Sequence, residues 1–182
     1  MAHIHKLAAV IAGVLALAGT SGYLSAAGNT DEKAGKEMSY PGDQAFVDKA
    51  AKSGLKEVRI STMAEQKTEA GDVRDIAKTM VTDHTAVNEK LKSIASAKGL
   101  QVPEKMSDDA EKVKQELDQK KGADFDAAYA KDLVHSHEKS VALFRAASEK
   151  ADAPELRNFA KETLPKIEHH LQMAKNLDAK KR

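Results

Sequence analysis

GADFDAAYAKDLVHSHEKSVALF, residues 122–144, decides the fold. Its apolar positions Ala130, Leu133, Val141 and Phe144 recur three and four residues apart, the period of a helix buried along one face. His137 stands on that same row and is therefore expected inside. His135, two positions earlier, falls on nearly the opposite side of the helix. Asp124 reads as the N-cap of a helix over 125–150.

Working outward, three more segments share this period. Residues 43–70 place Phe46, Ala50, Ser53, Glu57, Ile60 and Ala64 on one row, with Gly71 as C-cap and Asp72 as the next N-cap. Residues 73–98 carry Val73, Ile76, Met80, His84, Val87, Leu91 and Ile94, and Gly99 and Pro103 end them. Asp152-Ala153-Pro154-Glu155 is a capping box with proline in the first turn. It opens a helix over 153–178, with Leu156, Ala160, Thr163, Ile167, His170, Ala174 and Leu177 inward. Pro165 withdraws one hydrogen bond from the Lys161 carbonyl and predicts a bend there. The long connection before Asp124 contains a short amphipathic helix with Met106, Ala110, Val113 and Leu117 on one side. The expectation is an all-α, ferritin-like four-helix bundle over 43–179: two helical hairpins joined by a long crossover that contains a short helix. A plain up-down-up-down bundle is the alternative, and the length of the crossover favours the former.

Composition agrees. The chain has 182 residues with four Pro and no Trp, and is rich in helix formers. Its formal net charge is +1, with basic and acidic residues interleaved. Nucleic acid requires a concentrated basic face, so it is excluded as a partner. Without cysteine, disulfides, thiol catalysis and thiolate metal sites are excluded too. No nucleophile elbow, phosphate loop or Gly-rich fingerprint occurs, so no catalytic residue is assigned.

Residues 1–27, MAHIHKLAAVIAGVLALAGTSGYLSAA, read as a signal peptide. Lys6 gives the positive start, Leu7 to Ala18 the apolar run, and Ser25-Ala26-Ala27 the cleavage site. The run is short of the ~20 residues a membrane span needs, so no transmembrane span is expected in the mature protein. Thr20 stands where a lipidated cysteine would have to be. The expected destination is the periplasm or the exterior, with residues 28–42 a flexible linker.

Each main helix interrupts its apolar row with one ionisable residue: Glu57, His84, His137 or His170. Counted from the Gly71 turn at ~1.5 Å per residue, Glu57 and His84 both lie ~20 Å away. His137 and His170 fall near the same height. Three imidazoles and one carboxylate from four helices can enclose a divalent zinc, iron, manganese or copper ion. His169 can substitute for His170 if the helix rotates beyond Pro165. A buried layer of this kind can also be purely structural, with Asp83, Asp132 or Glu138 as hydrogen-bond partners. In that case the bundle is a non-catalytic structural module or one that binds an envelope partner. A two-iron oxidoreductase is disfavoured. That chemistry needs Glu-x-x-His on two helices, and Val81, Val134 and Ile167 occupy the positions three before the histidines.

MVTDHTAVNEKL (80–91), the 122–144 stretch and TLPKIEHHLQMAKNL (163–177) together resemble a bacterial family, domain of unknown function 4142. Its members are labelled exported or outer-membrane proteins. Carried over residue by residue, the family's histidines fall on His84, His137 and His170, and its first-helix acidic position on Glu57. The resemblance implies a ferritin-like bundle and no particular activity. Lys120-Lys121 departs from the more apolar approach expected before Gly122. The outer-membrane label finds no support in an alternating strand pattern.

Overall fold

The computed structural model describes residues 40–181, all within the compact unit Gly35–Arg182. The expected signal segment and residues 28–39 of the expected linker lie outside the described residues. Five helices account for the described chain: α1 (Asp43–Lys67), α2 (Gly71–Ala97), α3 (Asp108–Gln119), α4 (Gly122–Lys150) and α5 (Pro154–Lys181). The architecture is all-α, and none of these helices is long and apolar enough to cross a membrane.

Side-chain pairs set the helix directions. Phe46 meets Phe144 with ring centroids 5.2 Å apart, and Ser61 meets the Tyr129 hydroxyl at 2.9 Å, so α1 and α4 are antiparallel. Ion pairs Lys98–Glu155 and Lys90–Glu162, both 2.6 Å, with Lys181–Asp72 at 2.9 Å, make α2 and α5 antiparallel. Each hairpin is antiparallel within itself, so α2 and α4 run the same way. The connection between them must therefore traverse the whole bundle. Its start is held by the Gln44 side chain, which donates to the Gln101 carbonyl (2.9 Å) and accepts from its N–H (3.0 Å). Its end is held by Lys67 and Asp118, 3.1 Å apart. Up-down-up-down order is excluded.

The crossover contains α3 as anticipated, with Met106, Ala110 and Leu117 buried and Ser107 accepting the Ala110 N–H. Lys120 and Lys121 are extended residues that form the corner into α4. Gly122, at φ 53°, takes the left-handed conformation this corner needs.

Three predicted boundaries are corrected. Helix α1 ends at Lys67, not near residue 70, and Gly71 opens α2 instead of capping α1. The cause is Thr68, whose hydroxyl accepts the Ala70 N–H (3.1 Å) and donates to buried Asp126 (2.7 Å). That long-range bond pulls the chain out of the helix early. Consequently Asp72 lies inside the first turn of α2. Asp124 likewise lies inside the first turn of α4, which begins at Gly122. Both carboxylates still favour the positive helix ends.

The core consists of two apolar clusters. One contains Phe46, Leu91, Val141, Phe144, Leu156 and Ile167; the other contains Ile60, Met80, Tyr129, Leu133 and Leu177. On every main helix the gap between the clusters falls at the ionisable residue of its row.

Near this gap α1 and α2 approach closely. A Cβ on Gly54 would lie 1.8 Å from the Asn88 amide oxygen. Gly54→Ala is expected to lower stability by about 1–2 kcal/mol by expelling Asn88. Combined with Asn88→Ala, the same change should become stabilising by about 0.5–1 kcal/mol through helix propensity. Urea unfolding of both variants against Asn88→Ala alone checks this. Equal costs in the two backgrounds would rule out the proposed clash.

Candidate metal centre

His84 comes from α2, His137 from α4 and His170 from α5, each placed inward by the apolar residues flanking it on its row. They are 7%, 1% and 1% exposed. Their ring centroids form a nearly equilateral triangle with sides of 5.4, 5.3 and 5.6 Å. One ring nitrogen from each lies within 4.8 Å of the other two.

Hydrogen bonds around the triangle assign the protons. His137 Nδ1 lies 2.8 Å from the Leu133 carbonyl, which only accepts, so Nδ1 carries the proton and Nε2 presents its lone pair. His170 Nε2 lies 2.8 Å from Asp83 Oδ2. Burial pushes the Asp83 carboxyl up, but its bonds to Lys166 and His170 outweigh this and hold it below the usual range. Asp83 is thus an ionised acceptor, His170 donates from Nε2, and its lone pair is on Nδ1. That nitrogen is buried and has no hydrogen-bond partner among the described residues. His84 Nε2 faces His137 Nε2 at 3.3 Å. Burial, then the neighbouring His137 and His170, push His84 well below the usual histidine range. Burial also lowers His170, against the pull of Asp83.

The donor set fits a cation. Imidazole nitrogens at 2.0–2.1 Å from a tetrahedral ion are separated by about 3.3–3.4 Å, the separation found for His84 and His137. The Leu133 carbonyl and Asp83 orient two of the rings from behind, as outer partners of metal-bound imidazoles do. The lone pair on His170 Nδ1 costs about 1–3 kcal/mol if left unsatisfied, and a metal ion would satisfy it.

Glu57, the fourth residue predicted for this layer, is 2% exposed on α1 but is not among the converging donors. Its Oε1 accepts from Ser136 at 2.6 Å, while Oε2 is buried without a hydrogen-bond partner among the described residues. Burial raises its carboxyl, opposed first by the nearby His137. His169 is exposed, so it does not substitute for His170. The helix keeps its phase through Pro165 because Ile167, His170 and Ala174 are all buried on one face. His135 is exposed as expected. Of the suggested carboxylate partners, only Asp83 meets a histidine. Asp132 pairs with Lys56 at 2.7 Å and Glu138 with Lys175 at 3.2 Å.

Sequence reasoning missed Ser136 and the Lys56–Asp132 pair. Ser136 stands beside His137 and turns to the same interior, a weak signal because a small hydroxyl interrupts no apolar pattern. Lys56 and Asp132 have side chains only 12% exposed, although neither lies on a predicted row.

Over residues 28–177 the chain matches the family described as Domain of unknown function (DUF4142). It belongs to that family. No curated protein matches the chain. Among solved structures, CopM in the Cu(II)-bound form aligns with this DUF4142 chain at a TM-score of 0.66 and 15% identity. The alignment covers 79% of this chain and 99% of CopM. At that identity the likeness concerns the fold.

Proposed function

We propose that this DUF4142 protein is an exported metal-handling protein with a ferritin-like bundle. It holds one late transition-metal ion through His84 Nε2, His137 Nε2 and His170 Nδ1. The observation that carries this reading is the buried, unpaired lone pair of His170 Nδ1 beside two other imidazole nitrogens. Three neutral imidazoles suit copper or zinc better than manganese or iron, and the Cu(II) held by the similarly folded CopM makes copper the first ion to test. Glu57, whose buried Oε2 has no hydrogen-bond partner among the described residues, supplies the fourth ligand after a side-chain rotation. With no carboxylate three residues before any of the histidines, the site takes one ion and not a bridged pair. Cleavage after Ala27 places the protein in the periplasm or outside, where it serves metal handling or envelope stress.

Titration of the metal-free protein with Cu(II) and Zn(II), followed by elemental analysis, should give one ion per chain. No retained ion, or two with equal affinity, would sink the proposal. Asp83→Asn should weaken binding about 10–100-fold, because it loosens the tautomer and orientation of His170. Unchanged affinity in that variant would show that His170 is not a ligand through Nδ1.

A structural layer without metal is favoured by the His84–His137 and Ser136–Glu57 contacts, which close part of the layer on their own. It leaves His170 Nδ1 unexplained.

A further inference from the structure

On the flank of the bundle, α1, α4 and the crossover helix α3 enclose a cleft of about 630 Å³. This is within the range of small-molecule sites, about 300–1,000 Å³. Its walls differ in character. Val113 and Ala110 from α3 and Leu143 from α4 make an apolar side, with Ala110 and Leu143 buried. Opposite, α1 and α4 each contribute a polar stripe at helical spacing. The stripes meet where Ser53 and Ser140 place their hydroxyls 3.3 Å apart.

The charges in the cleft do not cancel. Lys56 is paired with Asp132 at 2.7 Å and Lys52 with Asp48 at 2.9 Å. Asp109, on the α3 side, is paired with Lys112 at 3.5 Å. Lys49 and Lys139 also line the cleft, and neither has an ion pair among the described residues. Two ammonium groups without an ion pair among the described residues, a pair of hydroxyls able to donate and an apolar wall therefore line one space. Long exposed lysines are ordinarily just solvated. Here, however, they come from two different helices and both line one concave, partly apolar site.

We propose that this cleft binds a small amphiphilic organic anion. Its carboxylate, sulfonate or phosphate head lies between Lys49 and Lys139 and accepts from Ser53 or Ser140; its apolar body lies against Val113 and Leu143. The site is separate from the histidine layer, and binding is expected with or without metal.

The test uses the full chain and anilinonaphthalene sulfonate as a fluorescent probe, displaced in turn by decanoate, decyl phosphate, decanol and decyltrimethylammonium. Saturable binding of one probe per chain is expected. Both anionic amphiphiles should displace it, and their relative strengths distinguish a carboxylate from a phosphate head. The alcohol and the cation should be about tenfold weaker or worse, the scale set by losing a charged contact. The double variant Lys49→Glu/Lys139→Glu should weaken probe binding by at least about tenfold at an unchanged melting temperature, because both residues are exposed. Val113→Trp should block binding by filling the apolar side. Equal displacement by all four amphiphiles, non-saturable binding, or native affinity in either variant would overturn the proposal.

Discussion

Replacing His84 by Leu should abolish the rise in melting temperature that copper or zinc produces in the native protein, while the metal-free variant stays folded. A ligand that binds only the folded state stabilises it by ~2.7 kcal/mol at a hundredfold excess over its dissociation constant. For a domain of this size that is about 5–10 °C. Leucine fills most of the imidazole volume and removes a desolvated polar group from a layer flanked by Met80 and Leu91, both buried. Against this, His137 Nε2 loses its 3.3 Å neighbour, so the metal-free variant should fall within about 2 kcal/mol of native stability. Calorimetric scans of both proteins with and without added ion provide the check. A metal-dependent shift that survives in His84→Leu would place the ion elsewhere. No shift in the native protein would favour the purely structural layer.

Acidification should destabilise the metal-free protein between about pH 7 and pH 5. His84 is held neutral in the folded state by burial and by the adjacent His137 and His170. His170 is lowered chiefly by burial. Their ordinary value is near 6.5. Above it both states are neutral and stability is unimpaired. As the pH falls below it, the unfolded chain takes up protons that the folded chain refuses, and stability is lost toward the depressed folded values. Glu57 acts in the opposite sense. Its folded value is raised above 4.5, chiefly by burial, so its contribution is present below that value and lost as the pH rises through the folded one. With two histidines lowered against one carboxyl raised, stability should fall as the pH drops through the histidine range. Denaturant unfolding at pH 7.5, 6.5 and 5.5 measures it. His84→Leu should make the fall shallower, and a flat native profile would contradict the neutral, buried state of these rings.

Much of the centre was legible in the sequence because helical periodicity carries angular information. The rows of α4 and α5 were read correctly at every position named, including His137 and His170, since each lies between apolar residues whose burial sets the helix phase. The depth of the layer followed from counting residues to the Gly71 turn, although that turn is made by Thr68. Counting along an axis tolerates an error of a few residues; a cap does not, because it depends on one hydrogen bond.

Glu57 marks the limit of what helical periodicity encodes. Its place on the inward row predicted burial, which the structure has. Whether a buried carboxylate faces the imidazoles or a neighbouring hydroxyl depends on which residues α4 presents to α1. Ser136, one position from His137, occupies one oxygen and leaves the other without a partner. His169 and His170 were separable only once the helix was seen to keep its phase past Pro165.

The sequence by itself determined the helical class, the number of long helices and the inward turn of His84 and His137, because local periodicity encodes them. Only the tertiary structure decided the rest: the antiparallel pairing of α1 with α4 that makes the long connection a crossover, the choice of His170 over His169, the separation of Glu57 from the three imidazoles, and the nitrogen His170 leaves free. These depend on contacts between residues far apart in the chain, such as Glu57 with Ser136 (79 apart) and Asp83 with His170 (87 apart). No local pattern carries such pairings; they exist only once the helices have packed.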